Sequence, residues 1–217
     1  MQSPSLFTFI EAAAVVVSSV SGMIKASEKK MDLVGAYSLA LLVSFGGGTI
    51  RDVLLNRRPF FWIENEVYLF VVLLVAIAFV YVPFFHKLAK LLHRRSNTVE
   101  ATGLGLFSIS GLFAALNMGM PLFSASLMGV ITGVAGGVMR DVVTNEIPLI
   151  FRYTGGLYAV ASFVGCWVCI FFILMFETPF VGFLLGAAVI IALRMSSLYF
   201  GLKLPRPLWV KEEEDKL

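Results

Sequence analysis

A phrase that occurs twice, in two strongly apolar halves, constrains the fold of this chain more than any other feature. Residues 46–53 read GGGTIRDV and residues 135–142 read AGGVMRDV, an offset of 89 positions. With that offset and no gaps, 16 of the 49 residues from 11 to 59 have an identical partner between 100 and 148. Self-similarity at one fixed period indicates an internal repeat. We therefore expect two copies of one structural unit.

The composition predicts that both copies lie in a membrane. Of the 217 residues, 59% are hydrophobic and only 14% are charged, which is unlike a soluble domain. A helix needs about 20 apolar residues to cross a bilayer. Seven such runs are visible, at residues 6–24, 33–55, 66–86, 98–116, 121–144, 154–176 and 179–200. They are too long for barrel strands, so the predicted fold class is an all-α integral membrane protein with seven transmembrane helices.

Each copy contains three spans, and this odd number makes the second copy enter the membrane from the opposite face. The pattern predicts two inverted three-helix repeats, related by a pseudo-two-fold axis in the membrane plane, plus a seventh helix. We expect the first repeat at residues 1–86, a basic linker at 87–97, the second repeat at 98–176, and the seventh helix with a polar tail at 177–217. The seventh span, which carries Arg194, has no counterpart and is expected to pack outside the repeats as scaffold.

Basic residues in the loops predict the orientation. If the spans alternate, most of these residues lie on one face, against chiefly Arg57 and Arg58 on the other. The positive-inside rule makes the richer face cytoplasmic, with the amino terminus outside. A short loop between two spans leaves little room for a nucleic-acid surface, so no nucleic-acid partner is expected. The residues that set the bias are Lys25, Lys29, Lys30, Lys87, Lys90, Arg94, Arg95, Arg152, Lys203, Arg206, Lys211 and Lys216.

The glycines of the repeated phrase predict helices that bend or break near the middle of the bilayer. The first run lies about 20 Å along span two, and span five brings its glycines to the same depth from the opposite face. Backbone with unsatisfied groups is tolerated there only if it is buried in protein or lines a wet cavity. Taken alone, however, glycines favour close helix packing. The residues concerned are Gly46, Gly47 and Gly48, and Gly133, Gly136 and Gly137.

Charged side chains beside these glycines indicate more than packing, because a charge within a span costs about 2.5 to 3.5 kcal/mol on insertion scales. Adjacent Arg and Asp residues point about 100° apart on a helix, so we expect each to need partners from elsewhere. Two cations against four anions suit a cation path, whereas a purely structural tie between the repeats is the alternative. The pairing of the groups stays open. They are Arg51, Asp52, Arg140, Asp141, Glu11 and Glu100.

Further polar residues of spans one and four are candidates for the lining of such a path. Ser19 and Ser108 are equivalent positions whose hydroxyls can hydrate an ion or bond to a neighbouring helix. Lys25 ends span one, where it either snorkels to headgroups or places a positive charge at the mouth. Cys166 and Cys169 lie in an apolar span with no further ligand nearby, so we interpret them as packing residues. No metal site and no cofactor are expected.

The paired G-G-x-x-R-D motifs and the three-plus-three-plus-one span count resemble the trimeric intracellular cation channels in their prokaryotic form. Bacterial members are also catalogued as glycine transporters. The resemblance, which covers about residues 5–200, implies a homotrimer in the inner membrane with a potassium-conducting pore inside each protomer. Spans one, two, four and five would bound that pore, and the motif glycines and Arg-Asp pairs would be pore elements. Ala135 replaces one motif glycine, and Gly133 would take over its bending role.

Two functional classes stay open from the residues. In the channel hypothesis, potassium or other monovalent cations pass down their gradient. In the transporter hypothesis, the same glycines form a midplane site that alternates in access to a small solute such as glycine. An enzyme is not expected, since the spans hold no nucleophile with a base and no metal cluster. The expected partners are therefore cations, two further copies of the chain, and membrane lipid.

Overall fold

The computed structural model describes residues 4–85, 96–152, 156–202 and 204, and this part of the chain is helical and without strands. The predicted basic residues Lys87, Lys90, Arg94, Arg95, Lys203, Arg206, Lys211 and Lys216 lie outside the described residues. The elements are α1 (Pro4–Glu28), α2 (Leu33–Leu54), the short α3 (Phe61–Glu64), α4 (Val67–Tyr81), α5 (Ser96–Asn117), α6 (Leu122–Val143), a 3₁₀ turn (Leu149–Phe151), α7 (Tyr158–Phe176) and α8 (Pro179–Phe200).

Six of these helices, namely α1, α2 and α5 to α8, are long and apolar enough to cross a membrane. A helix of 22 residues, such as α2, is about 33 Å long, which matches a hydrocarbon core of about 30 Å. The apolar core divides into two clusters, one chiefly within α1 to α4 and the other chiefly within α5 to α8. The predicted all-α fold class is confirmed.

The third span is shorter than predicted. Helix α4 has 15 residues and ends at Tyr81, where the following Val82 is extended, with φ of −93° and ψ of 116°. The pyrrolidine ring of Pro83 clashes with a helical conformation at the residue before it. A continuous helix over residues 66–86 was therefore a wrong expectation.

The two repeats end their second helices in the same way. Helix α2 is followed by Asn56 at a φ of +52° and α6 by Asn145 at a φ of +57°. In each case the next amide donates a hydrogen bond of 2.8 Å back to a carbonyl in the last turn, that of Asp52 or Asp141. Asparagine tolerates this left-handed position at a helix end. The repeated sequence thus gives a repeated local structure at the end of each helix that carries an Arg-Asp pair.

Helices α2 and α6 cross through reciprocal contacts. A methyl group added at Gly47 would collide with the carbonyl of Thr132, and one added at Gly136 would collide with the carbonyl of Val43. The two glycines are 89 positions apart, and so are the two carbonyl residues. Each helix therefore makes the same contact with the other, as two elements related by a two-fold axis do. The duplication is present in the fold as an inverted pair.

The glycine runs do not interrupt the helices, which contradicts the predicted breaks. Both α2 and α6 are continuous through the residues predicted to break them, which are Gly46, Gly47, Gly48, Gly133, Gly136 and Gly137. The absence of a side chain lets a neighbour approach the helix surface, and this leaves the backbone hydrogen bonds of the helix intact. The glycines provide close contact.

Helix α8 lies against the second repeat, where it packs on α7 and α5. An added methyl group at Gly186 would come within 2.9 Å of both Gly165 O and Cys169 Cβ, so small residues set this close packing. Cys166 and Cys169 are free and buried. Their position agrees with the interpretation that they are packing residues.

Candidate functional site

The first Arg-Asp pair lies in a sealed cluster at the end of α2. Arg51 Nε donates to Asp52 Oδ1 at 2.8 Å, and Arg51 Nη1 lies 2.8 Å from Glu11 Oε1. The other oxygen of Asp52 accepts from the backbone amide of Phe61 at 2.8 Å, and the Arg51 guanidinium lies 5.1 Å from the Phe61 ring centroid. The side chains of Arg51 and Asp52 are 0% exposed and that of Glu11 is 2% exposed. Water therefore has little access to these charges.

The second pair repeats this arrangement at the end of α6. Arg140 Nε donates to Asp141 Oδ1 at 2.8 Å, and Arg140 Nη2 donates to Glu100 Oε1 at 2.7 Å. Asp141 Oδ2 accepts from the backbone amide of Leu149 at 3.1 Å. This cluster is more open, since the side chains of Arg140 and Glu100 are 10% and 9% exposed.

Each arginine also reaches across to the opposite repeat. Arg51 Nη1 donates to Ser110 Oγ at 2.9 Å, and Arg140 Nη1 donates to Ser21 Oγ at 3.1 Å. Ser21 and Ser110 are equivalent positions, 89 residues apart. Arg51 and Arg140 each bind the glutamate and the aspartate of their own repeat and the serine of the opposite repeat.

These contacts answer the question of pairing that the sequence left open, and they correct one expectation. Arg51 meets Glu11 and Arg140 meets Glu100. Each arginine also bonds directly to the aspartate beside it through Nε, although adjacent residues were expected to find their partners elsewhere. A long side chain can fold back along the helix, so backbone spacing alone underestimates what two neighbours can reach.

A polar cavity leads to the second cluster. We call the end of the molecule where α1, α4, α6 and α8 finish the Lys25 face, and the opposite end the Arg57 face. A cavity of about 230 Å³ on the Lys25 face extends from Lys25 and Arg152 inward to Arg140, Glu100, Asp141 and Ser21. It gives the second Arg-Asp pair a route to solvent.

A second, narrower cavity continues from the same charges towards the helix crossing. Its volume of about 20 Å³ is enough for about one water molecule. It shares Arg140 and Glu100 with the outer cavity and is further lined by Ser18, Gly133, Gly136, Gly137 and Tyr158. The glycines of α6 therefore border a narrow space next to the charged side chains as well as the crossing.

An ionic cluster stands at the edge of the outer cavity. Glu146 follows α6, and its Oε1 lies 2.8 Å from Lys25 Nζ and 2.9 Å from Lys29 Nζ. Arg152 Nη2 is 3.5 Å from the other oxygen of the same carboxylate. The hydrogen bonds from Lys25 and Lys29 lower the pKa of Glu146 to about 2. Lys25 thus joins the end of α1 to the segment that follows α6, and we call these four residues the Lys25 bridge.

The remaining predicted residues divide between the crossing and helix packing. Gly46 packs against the side chain of Met139, and Gly48 packs against the ring of Phe61. Ser19 is buried and donates at 2.7 Å to the carbonyl of Val16 in its own helix, and neither Ser19 nor Ser108 lines the two cavities.

Ser108 Oγ accepts from Ser162 Oγ at 2.7 Å in the packing between α5 and α7. The serines that meet the arginines are their near neighbours in sequence, Ser21 and Ser110.

Arg194 has a role in the second cluster that its position in the sequence did not predict. This residue of α8 is 1% exposed, its Nη2 lies 3.8 Å from Glu100 Oε2, and its guanidinium lies 4.7 Å from the centroid of the Tyr158 ring. The expectation that α8 serves only as outer scaffold is therefore wrong, because α8 contributes a charge to the second cluster. A charged residue inside an apolar span was the signal that could have identified it.

Comparison with known proteins identifies the family. The model described as glycine transporter matches residues 8–83 and 97–174. The UPF0126 inner membrane protein YadS of Escherichia coli K12 is 32% identical over 202 residues, which cover 92% of this chain and 95% of that protein. Two solved structures are similar over nearly their whole length.

The TRIC trimeric intracellular cation channel orthologue from Rhodobacter sphaeroides has a TM-score of 0.82 and 31% identity, with 91% of this chain and 100% of that chain covered. A second structure, of a TRIC cation channel, has a TM-score of 0.79 and 28% identity, with 95% and 98% covered. The sequence family and the fold agree. This chain belongs to the membrane protein family that contains the bacterial TRIC channels and that carries the family description glycine transporter.

Proposed function

We propose that this protein is a monovalent cation channel that prefers potassium and carries its path inside each protomer, between α1, α2, α5 and α6. The observation that carries the proposal is a pair of adjoining cavities that share the charged side chains of Arg140 and Glu100. The cavities run from the Lys25 face past the charges of the second repeat to the glycines at the helix crossing. In a membrane, such polar space inside a helical bundle is the expected route for an ion.

The balance of charge along this route supports a cation. The two clusters contain four carboxylates, of Glu11, Asp52, Glu100 and Asp141, and three guanidinium groups, of Arg51, Arg140 and Arg194. The excess of negative charge lowers the energy of a cation relative to an anion at the same place. Buried serine hydroxyls near the arginines add oxygen atoms that can replace part of a cation's hydration shell.

The two ends of the route differ in access, and this supports a gate at the Arg57 face. The first cluster is buried beneath Phe61 and held by the bonds of Arg51 to Glu11, Asp52 and Ser110. A cation that crosses the whole membrane must pass these groups, so the cluster has to rearrange for conduction. The α2–α6 crossing, with Gly47 and Gly136 at its centre, is the hinge that we propose for this movement.

We propose that the Lys25 face is cytoplasmic and the amino terminus is outside. Among the described residues, the loops and helix ends of the Lys25 face carry Lys25, Lys29, Lys30 and Arg152, whereas those of the Arg57 face carry Arg57 and Arg58. Short loops rich in Lys and Arg stay in the cytoplasm. The cavity that is open in this structure then faces the cell interior, where a potassium channel collects its ion.

We further propose a homotrimer in the inner membrane. The support is the resemblance to the trimeric channel of Rhodobacter sphaeroides and to the inner membrane protein of Escherichia coli. Because each protomer contains its own pair of clusters, three parallel paths would result. Large apolar side chains such as Phe163 and Trp167 lie on the outer surface of α7, where they meet lipid or a neighbouring copy.

The second candidate function is a small-solute transporter of the glycine type, which the description of the family model favours. The outer cavity, at about 230 Å³ with carboxylates and guanidinium groups on its walls, has both charges that a zwitterion requires. A transporter would close this cavity and open the opposite end in each cycle. The channel requires no such alternation for each ion.

Purified protein in planar bilayers and in potassium-loaded liposomes separates the two functions. We expect stepwise single-channel currents that reverse near the potassium equilibrium potential and no saturable glycine uptake. Replacing Asp52 and Asp141 together by asparagine should lower cation flux at least tenfold in an assembled protein. Saturable glycine uptake without conductance would overturn the channel proposal, and unchanged conductance in the double variant would leave both acids as structural ties.

A further inference from the structure

Helix α8, the predicted seventh span, adds a third guanidinium group to the charge clusters. It adds this group to the second cluster. Arg194 lies on α8, which stands outside the duplication and packs against α7 and α5. Its side chain is 1% exposed and reaches Glu100 and the face of Tyr158. An arginine keeps its positive charge even when it is buried. The buried charge therefore acts on the second cluster.

Glu100 lies between two arginines. Its Oε1 accepts from Arg140 Nη2 at 2.7 Å, and its Oε2 lies 3.8 Å from Arg194 Nη2. With Asp141, the second cluster holds two guanidinium groups and two carboxylates. Among the described residues, the first cluster joins one guanidinium group, of Arg51, to two carboxylates. The two clusters thus differ in net charge although the repeats match in sequence, because Arg194 belongs to neither repeat.

A neutral cluster and a negative cluster act differently on a passing cation. Two carboxylates with one arginine attract a cation, and they attract a divalent cation about twice as strongly as a monovalent one at the same distance. Adding a second arginine cancels the net attraction. At the Glu100 end, which opens to solvent through the outer cavity, the charge balance therefore bears on how strongly a cation from the solution is attracted.

We propose that Arg194 is a specificity-determining residue that prevents divalent cations from binding at Glu100 and Asp141 and so keeps the open end of the path free. The proposal rests on the channel function proposed above. Arg194 acts through Glu100 and need not touch the ion. Its role is to set the charge of a site that would otherwise bind a cation with two carboxylate ligands.

Barium is a suitable probe, because it is divalent and close to potassium in size. In planar bilayers, the substitution Arg194→Gln should lower the barium concentration for half-block, applied at the Lys25 face, at least tenfold. Arg194→Lys retains the charge and should keep the wild-type block. The double variant Glu100→Gln with Arg194→Gln removes one charge of each sign and should reverse the gain in sensitivity. Equal barium block in wild type and an assembled Arg194→Gln variant would overturn the proposal.

A measurement without current separates this inference from the channel function. In detergent, barium should raise the melting temperature of Arg194→Gln more than that of wild type or of the double variant, whether or not the protein conducts. Wild type without potassium current would overturn the channel function alone, whereas equal barium shifts in all three proteins would overturn the role of Arg194 alone.

If Arg194→Gln does not assemble, Glu100→Gln tests the same charge balance in the opposite direction. That substitution leaves two arginines beside one aspartate, and the permeability for chloride relative to potassium should rise at least threefold. Unchanged ion selectivity in this variant would likewise overturn the proposal.

Discussion

The two Arg-Asp clusters have the same chemistry and opposite access to water. Arg51 and Asp52 are 0% exposed and covered by Phe61 of the short helix α3, whereas Arg140 faces an open cavity on the Lys25 face. The duplication therefore determines which groups meet, and the non-repeated surroundings determine which cluster is sealed. In the channel that we propose, a sealed cluster at one end and an open one at the other correspond to a path with one closed gate.

The surroundings differ at three places. The first repeat covers its cluster with α3, which has four residues, Phe61–Glu64. The second repeat has a 3₁₀ turn in the corresponding segment, Leu149–Phe151, and a cavity beside it. The equivalent positions Arg57 and Glu146 have opposite charge, so Arg57 pairs with Glu64 nearby while Glu146 binds Lys25 and Lys29 from the end of α1. Helix α8 adds Arg194 on the second side alone.

The largest expected effect is on stability at the sealed cluster. Arg51→Gln leaves the carboxylates of Glu11 and Asp52 buried without their cation, and breaking a buried ion pair in this way costs about 3–5 kcal/mol. Arg140→Gln is the matched control, and it should cost roughly 1–3 kcal/mol because water from the cavity reaches Glu100 and Asp141. Unfolding in detergent with a denaturant measures both. Equal losses of unfolding free energy in the two variants would contradict the difference in access of water to the two clusters.

The helix crossing should give the next largest effect, and it should be the same on both sides. Gly47→Ala and Gly136→Ala each push a methyl group into a backbone carbonyl of the other helix, and overpacking of this kind costs about 1–3 kcal/mol. Gly137→Ala is the control in the same helix, since its nearest contact is the Tyr158 hydroxyl at 3.0 Å. A large difference in melting temperature between Gly47→Ala and Gly136→Ala would contradict the two-fold relation of the contact.

A smaller effect is expected at the Lys25 bridge. Glu146→Gln removes the carboxylate that binds Lys25, Lys29 and Arg152 at the edge of the cavity. Three cations then stand at the cavity mouth without their shared anion, so potassium current should fall about two- to fivefold. Surface ion pairs contribute little to folding, about 0–1 kcal/mol, so stability should change little. Arg57→Gln, the equivalent position, is the control. A similar fall in current from Arg57→Gln would show that the bridge has no special place in the path.

The smallest expected effect is that of moderate acid on this bridge. Hydrogen bonds from Lys25 and Lys29 lower the pKa of Glu146 to about 2, below its ordinary value of 4.5. A lowered pKa means that the stabilisation by the ionised carboxylate is fully present above about pH 4.5 and is lost as the pH falls towards 2. Wild type and Glu146→Gln should therefore show the same relative change in current between pH 8 and 5. A change in current between pH 8 and 5 that occurs in wild type but not in Glu146→Gln would contradict the lowered pKa.

Sequence repetition identified the charged residues that form the clusters, but it did not predict how they pair. A charge in an apolar span needs a partner, and the 89-residue offset placed Glu11, Glu100 and both Arg-Asp pairs in matching positions. In the structure these groups form two separate clusters, one in each repeat. The all-helical fold followed for the same reason, because apolar runs of about 20 residues have few alternatives in lipid. The boundaries of the repeats at residues 86, 97 and 176 stay predictions.

Other features depended on contacts that spacing does not reveal. The sequence identified Ser19 and Ser108, yet Ser21 and Ser110 meet the arginines, because two residues on a helix separated by two positions point in different directions. The glycines were expected to break α2 and α6. Both helices are continuous, because a carbonyl of a neighbouring helix can occupy the space that a glycine side chain leaves empty without breaking the helix. Arg194 was missed because α8 has no repeat partner, and only the packing of α8 against α5 brings it to Glu100.

The most direct test of the central claim uses the equivalent serines Ser21 and Ser110, which bond to Arg140 and Arg51. In a background where Cys166 and Cys169 are replaced by alanine, each serine is changed to cysteine and treated with a positively charged thiol reagent from the Lys25 face. We predict that Ser21→Cys is modified and loses most of its potassium current, whereas Ser110→Cys is not modified and keeps it. Equal modification of both, or modification of Ser21→Cys with no change in current, would contradict the account.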